Sequence, residues 1–201
     1  MASLTFVAAT RLEYNALRRA MPRARIKLVG IALAHSPSEL GEVVVSAGLA
    51  GGLREDLHTG TLLIPRAVRR PDGSELQCDP ELVELFALRA RQMGIEPLFD
   101  RLLTSSEIVR GEARAGWAAQ GYSGVDMETG RICAPRVAAV RVVLDTPLRE
   151  ISADWVAPLR AILNPWNWPE ALWLAREAPR AAALAANVAA GAQGIGAGLR
   201  M

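Results

Sequence analysis

The segment EVVVSAGLAGGL, residues 42–53, decides how the chain folds. Its first half, EVVVSA (42–47), is β-branched and apolar without polar alternation. Such a run suits a strand buried on both faces of a parallel sheet covered by helices. The run passes directly into GLAGGL (48–53), which reads as a glycine-rich turn whose small residues let backbone amides approach a ligand closely. It is not the GxGxxG pattern of a dinucleotide site.

Working outward, LTFVAA (4–9) is a second buried strand. Thr10 is placed to cap a helix carrying Leu12, Ala16 and Leu17, with Glu13 in its first turn. IKLVGIALA (26–34) and TLLIP (61–65) read as further strands, the latter stopped by Pro65. Residues 79–94 form the clearest helix. Asp79 is its N-cap, Pro80 occupies the first position, Gly94 closes the end, and Leu82, Leu85, Phe86 and Met93 share a face. A strand over 97–103 enters a polar loop, and GEARAGWAAQ is a short helix. VAAVRVVLD (137–145) is a buried strand ending in a carboxylate. From 152 the spacing is helical, interrupted at Asn164–Pro165 and resuming from Pro169. Strands alternating with helices make an α/β layer fold, and no linker divides it. One domain spans 1–201, with 150–201 as its helical, Trp-rich tail.

Composition excludes several function classes. A formal net charge of +2 over 201 residues offers no dense basic stripe for nucleic acid. Of the 23 basic residues only Lys27 is Lys, a bias of genome composition. Cys78 and Cys133 stand far apart with only His35 and His58 to join them, so neither a metal site nor a cofactor is expected. Two lone cysteines, no signal-peptide pattern at the start and no spanning run place the expected protein in the cytoplasm.

Four segments put polar residues at strand ends, where open α/β sheets bind ligands. They are ATRLEYNAL with Glu13, SAGLAGGL, GVDMETG with Asp126 and Glu128 around Met127, and VRVVLD with Arg141 and Asp145. Each has a structural alternative. Glu13 could serve only the helix dipole, the glycines only a turn, and Asp126-Met127-Glu128 or Asp145 only a cap.

In this order the four segments resemble the nucleoside phosphorylase and nucleosidase superfamily, over roughly residues 3–150. There a Glu follows the first strand, a later strand ends in a G-x-A-G-G-L turn, and a D/E-M-E triplet precedes R-x-x-x-D. The phrases SAGLAGGLREDLHTGTLLIPRAV, GVDMETG and RVVLDTP, with the Trp- and Pro-containing tail (Pro169 to Leu174), look like the hopanoid-associated phosphorylase branch, implicated in releasing adenine from adenosylhopane.

The resemblance implies a three-layer α/β/α fold with a central, twisted, mostly parallel mixed sheet. It also implies a homo-oligomer, a dimer first, acting on an adenosyl nucleoside. Asp145 would protonate purine N7, which requires a carboxyl kept neutral in a partly desolvated pocket. Glu128 would bind the ribose hydroxyls and offset an oxocarbenium-like charge. Met127 would pack on the sugar and Glu13 would deprotonate the attacking water. Ser106, Ile108 and Val109, within the 105–109 loop, would hold the base, and Asp126, Gly48 and Leu49 would line the site. Arg141 would orient Asp145, four residues along the same strand face.

The chain departs from that pattern in three places. Gly30 has no second glycine, and no family-length helix fits between it and Ser46. Leu49 stands where a phosphate-binding Ser or Cys is usual, with no basic residue to replace it. The stretch from Glu128 to Arg141 allows at most two helical turns. The first two departures favour hydrolysis over phosphorolysis, since phosphate needs amides, hydroxyls or Arg forks. The third keeps open a non-catalytic nucleoside- or lipid-binding homologue. Trp166, Trp168, Leu172 and Trp173 in the tail suit packing across the sheet or a dimer contact, or alternatively a peripheral lipid contact.

Overall fold

The computed structural model describes residues 4–35, 40–152 and 168–194 of the chain. The sequence expectations for 153–167, including Trp166 and the break at Asn164–Pro165, lie outside these residues.

The segment 42–53 is one long strand. We label it β3 (Val43–Gly52), and it runs through the glycines instead of turning at them. β1 (Leu4–Ala8) pairs with it in parallel on one side. β9 (Arg136–Asp145) pairs with it in parallel on the other, from Val43 opposite Arg136 to Gly51 opposite Asp145. Those three strands are the floor of the molecule.

β2 is confined to Ile26–Leu28 and flanks β1. The expected strand over 26–34 ends there because Gly30 adopts φ 76°, after which Ile31–Leu33 form a 3-10 turn. β4 (Leu62–Leu63) pairs antiparallel with β9. β5 (Ala67–Arg69) and β6 (Glu75–Gln77) make a hairpin that hydrophobic patterning did not reveal, because the strands are three residues long. β7 (Arg101–Thr104) runs parallel to β5 and to β8 (Tyr122–Asp126), and β8 meets the glycine end of β3 antiparallel. The result is one nine-stranded, mixed, mostly parallel sheet.

Helices α1 (Arg11–Ala20), α2 (Pro80–Gln92) and α4 (Trp168–Ala189) cover one face. Strand residues alternate between the faces. Phe6, Val43, Val45 and Leu102 join Leu17, Leu82, Phe86 and the alanine stripe Ala181, Ala182, Ala185 and Ala186. Val7, Val44 and Val137 face the other way, toward Val29, Leu40 and Ile132. On that second side the only helix among the described residues is α3 (Glu112–Ala118), whose Trp117 and Ala118 pack over Leu53, Leu103 and Tyr122. The fold is therefore the expected three-layer α/β/α arrangement, with one helical layer thin.

Local chemistry sets the helix ends. Thr10 and Glu13 form a reciprocal capping box at α1, each satisfying a backbone N–H of the other. At α2, Asp79 accepts from the Leu82 N–H and pairs with Arg136 at the start of β9, fastening the helix to the sheet. The Arg136 guanidinium holds the Asp79 carboxyl below its ordinary value. Stability from this pair is therefore complete above the unfolded Asp range and lost as pH falls through the depressed folded value. Asp79→Ala should lower unfolding free energy by about 1 kcal/mol at neutral pH. In denaturant titrations the difference from wild type should shrink as pH is lowered through the Asp range.

Candidate active site

β1 ends at Ala8, and the capping box at Thr10 turns Glu13 inward over the middle of β3. Glu13 is buried and accepts three hydrogen bonds. Oε2 takes the Thr10 N–H and hydroxyl, each at 2.8 Å, and Oε1 takes the Leu49 N–H at 2.8 Å. A carboxylate offers about four acceptor positions, so one remains for a water.

Gly48 makes this approach possible. A Cβ there would lie 2.1 Å from Glu13 Oε1 and 2.8 Å from an Arg141 terminal nitrogen. The glycine in SAGLAGGL is thus required by close approach of two side chains inside a strand, with no turn involved.

Arg141, in the middle of β9, is fully buried at 1% exposure. It donates from Nε to Asp126 at 3.0 Å, and its second terminal nitrogen reaches Ser46 Oγ at 2.6 Å and Thr129 Oγ1 at 2.9 Å. Glu128 lies 3.7 Å away, and Glu13 adds to the field that keeps the guanidinium charged against its desolvation. Asp126, at the end of β8, is saturated: besides Arg141 it accepts from Thr104 and from the Thr129 N–H and hydroxyl. Its place is to hold Arg141, which leaves no oxygen turned toward a ligand.

Glu128 follows on the 3-10 turn Thr129–Arg131. Oε1 accepts the Ala32 N–H at 3.0 Å, reaching across from the turn after β2. Burial pushes the Glu128 carboxyl above the ordinary Glu value, opposed by Arg141 and reinforced by Asp126 and Glu13. Beside it the Met127 side chain is half-buried. The segment between Glu128 and Arg141 contains a single 3-10 turn, shorter still than the two helical turns expected.

Asp145 is at the far end of β9. The expected pairing with Arg141 does not form, since four strand residues separate the two by about 13 Å. The partner of Asp145 is Arg114 on α3, which sequence reading passed over. Arg114 sat in GEARAGWAAQ as one more charged helix residue, and no local pattern marks a side chain that turns into the fold.

In the base-loop candidate, Ser106 Oγ accepts from Arg131, Ile108 is exposed, and Val109 is buried with its carbonyl accepting from Arg114. Leu49 packs against the main core, and its N–H serves Glu13. Glu13, Gly48, Leu49, Glu128 and Arg141 therefore form one cluster, and Asp145 with Val109 forms a second at the C-terminal end of the same strands. Among the described residues no group of His, Cys, Asp and Glu could hold a metal ion. Cys78 is buried, its thiol pushed up to about 12 by desolvation, and Cys133 is exposed. No described helix is long and apolar enough to cross a membrane.

Gly48→Ala should abolish ordering of Glu13 and lower any activity of the site by on the order of 10²-fold, because the added methyl and the carboxylate cannot share the space. For Glu128, the folded state binds its proton more tightly than the unfolded state. Its contribution is complete below the unfolded Glu range and lost as pH rises through the raised folded value. Glu128→Gln cannot ionise, so its melting temperature relative to wild type should rise as the pH is raised above the ordinary Glu range.

No protein-family profile and no curated protein sequence matches the chain. Solved structures do match in fold. The Neisseria meningitidis 5′-methylthioadenosine/S-adenosylhomocysteine nucleosidase bound to methylthio-immucillin-A superposes with a TM-score of 0.72 at 17% identity, over 95% of this chain and 98% of that one. A Helicobacter pylori mutant of the same kind of nucleosidase, with 5′-methylthioadenosine in its active site, gives 0.70 at 13% identity, over 94% and 96%. The futalosine hydrolase of H. pylori gives 0.70 at 13%, over 94% and 95%. At these identities and coverages, the chain has the fold shared by the methylthioadenosine/S-adenosylhomocysteine nucleosidases and futalosine hydrolase.

Proposed function

We propose that the protein is an N-glycosidase that hydrolyses the adenine–ribose bond of an adenosyl compound. One observation carries this reading: three buried carboxylates, Glu13, Asp126 and Glu128, surround a single buried cation, Arg141. With all four ionised the cluster is net negative. That field stabilises an oxocarbenium-like ribose and repels inorganic phosphate. Arg141 commits its Nε and one terminal nitrogen to a carboxylate and two hydroxyls, so it does not offer the free two-nitrogen fork that grips a phosphate oxyanion.

In this mechanism Glu128 and the remaining acceptor position on Glu13 face the sugar side. The bond between C1′ and the purine nitrogen breaks with its electron pair passing to the base. Asp145, in its acid form, gives its proton to N7. Water attacks C1′ and its proton passes to Glu13, leaving free adenine and a ribose hydroxyl. The fold neighbours support the reading, since they are by name a 5′-methylthioadenosine/S-adenosylhomocysteine nucleosidase and a futalosine hydrolase. The reading needs no metal or cofactor, and it carries with it a cytoplasmic homodimer. Its finer form, a lipid-linked adenosine, rests on the hopanoid-branch phrases and on the exposed Trp168 and Leu172 at the start of α4.

A second reading, a non-catalytic nucleoside binder, is favoured by one feature. The Ala32 N–H already bonds one Glu128 oxygen, and Ala32 and Leu33 both hold positive φ, 55° and 58°. For residues with a Cβ this conformation is unfavourable.

Mass-spectrometric assay of methylthioadenosine, S-adenosylhomocysteine and a lipid-linked adenosine should detect free adenine at a rate independent of phosphate. Asp145→Asn should slow release by about 10²- to 10⁴-fold. Adenine binding in calorimetry without release from any of the three would select the binder instead.

A further inference from the structure

Arg114 is the second buried arginine among the described residues, with a side chain 4% exposed. Its partners come from four segments that the fold brings to one end of the sheet. One terminal nitrogen donates to the Gly52 carbonyl at the end of β3, at 2.8 Å. Nε donates to the Val109 carbonyl of the candidate base loop at 3.1 Å, and lies 3.2 Å from Glu150 in the turn after β9. The other terminal nitrogen pairs with Asp145 Oδ2 at the end of β9.

A guanidinium is a planar fork with fixed donor directions, so bonds to these segments constrain one another. The pair lies over β3 where a side chain would crowd it. A Cβ on Gly51 would sit 3.2 Å from Asp145 Oδ1 and 3.7 Å from Arg114. Asp145 keeps 13% exposure of its side chain, and the bond from Arg114 goes to Oδ2, leaving Oδ1 as the oxygen free to meet a ligand.

We propose that Arg114 is a positioning residue for the base end of the site, holding the Asp145 carboxyl and the 105–109 loop in one register so that Oδ1 faces the purine. The proposal rests on the reading of Asp145 as the group that meets the base. A merely structural ion pair would not need to bond both the acid and the loop carbonyl that flank the same ligand.

The test compares wild type, Arg114→Met and Arg114→Lys in adenine release across pH, with adenine binding measured by calorimetry. Arg114→Met should lose on the order of 10²-fold in kcat at its own optimum. Arg114→Lys, which keeps the charge but not the fork, should restore only part of kcat. A lower melting temperature with kcat unchanged overturns the proposal, as does full rescue of kcat by Lys. If Arg114→Met does not fold, the Lys variant decides through kcat and adenine affinity. Should wild type release no base from any substrate, the glycosidase reading fails separately. Adenine binding about tenfold weaker in Arg114→Met would then still support the positioning role. Equal affinity, or no adenine binding by wild type, would overturn it.

Discussion

A buried arginine in the middle of a sheet is the constraint on which the rest of this structure depends. Arg141 cannot be accommodated at 1% exposure unless every donor finds a partner and its charge is balanced. Asp126, Ser46 and Thr129 take the donors of Nε and one terminal nitrogen, and Glu13 and Glu128 help to balance the charge. Each of these residues then has its own condition. Asp126 must end β8 beside Thr104, Glu13 must be turned inward by the capping box, and Gly48 must lack a side chain. The cluster ties β3, β8, β9 and α1 into one object.

The second arginine organises the C-terminal end of the same strands. Where Arg141 is surrounded by carboxylates, Arg114 divides its contacts between two backbone carbonyls and the carboxylates of Asp145 and Glu150. The two arginines differ in what they fix. Arg141 balances charge in the middle of the strands, and Arg114 ties chain segments together at their C-terminal end. A thin helical layer on that face leaves α3, only seven residues long, to carry this linkage.

Much of the frame was legible locally. Thr10 with Glu13 and Asp79 with Pro80 announced helix starts because capping is settled within a turn of chain. The unbroken apolar runs at β1, β3 and β9 announced strands buried on both faces. The short pieces were not legible: β5 and β6 are three residues each, and β2 stops early because of the backbone at Gly30. Reading GLAGGL as a turn also failed, since glycine signals a missing side chain and cannot by itself distinguish a turn from a close approach. In the candidate site, Glu13, Glu128, Gly48 and Leu49 were picked out by order and type. Asp126 was assigned to ligand contact and proves to be the counter-charge of Arg141. Arg141 was assigned to Asp145 and belongs to Asp126.

What the amino-acid sequence determined on its own is whatever acts over one turn or one strand: caps, strand runs, the α/β class and the identity of the ionisable residues at strand ends. Which of those residues meet is decided only by the tertiary structure. Glu128 meets Ala32 across 96 residues of chain, Arg141 meets Ser46 across 95, and Arg114 meets Asp145 across 31. The pairing of charges depends on the register of β3 against β9 and on the burial that makes an unpartnered charge intolerable. Neither quantity exists until the sheet has closed.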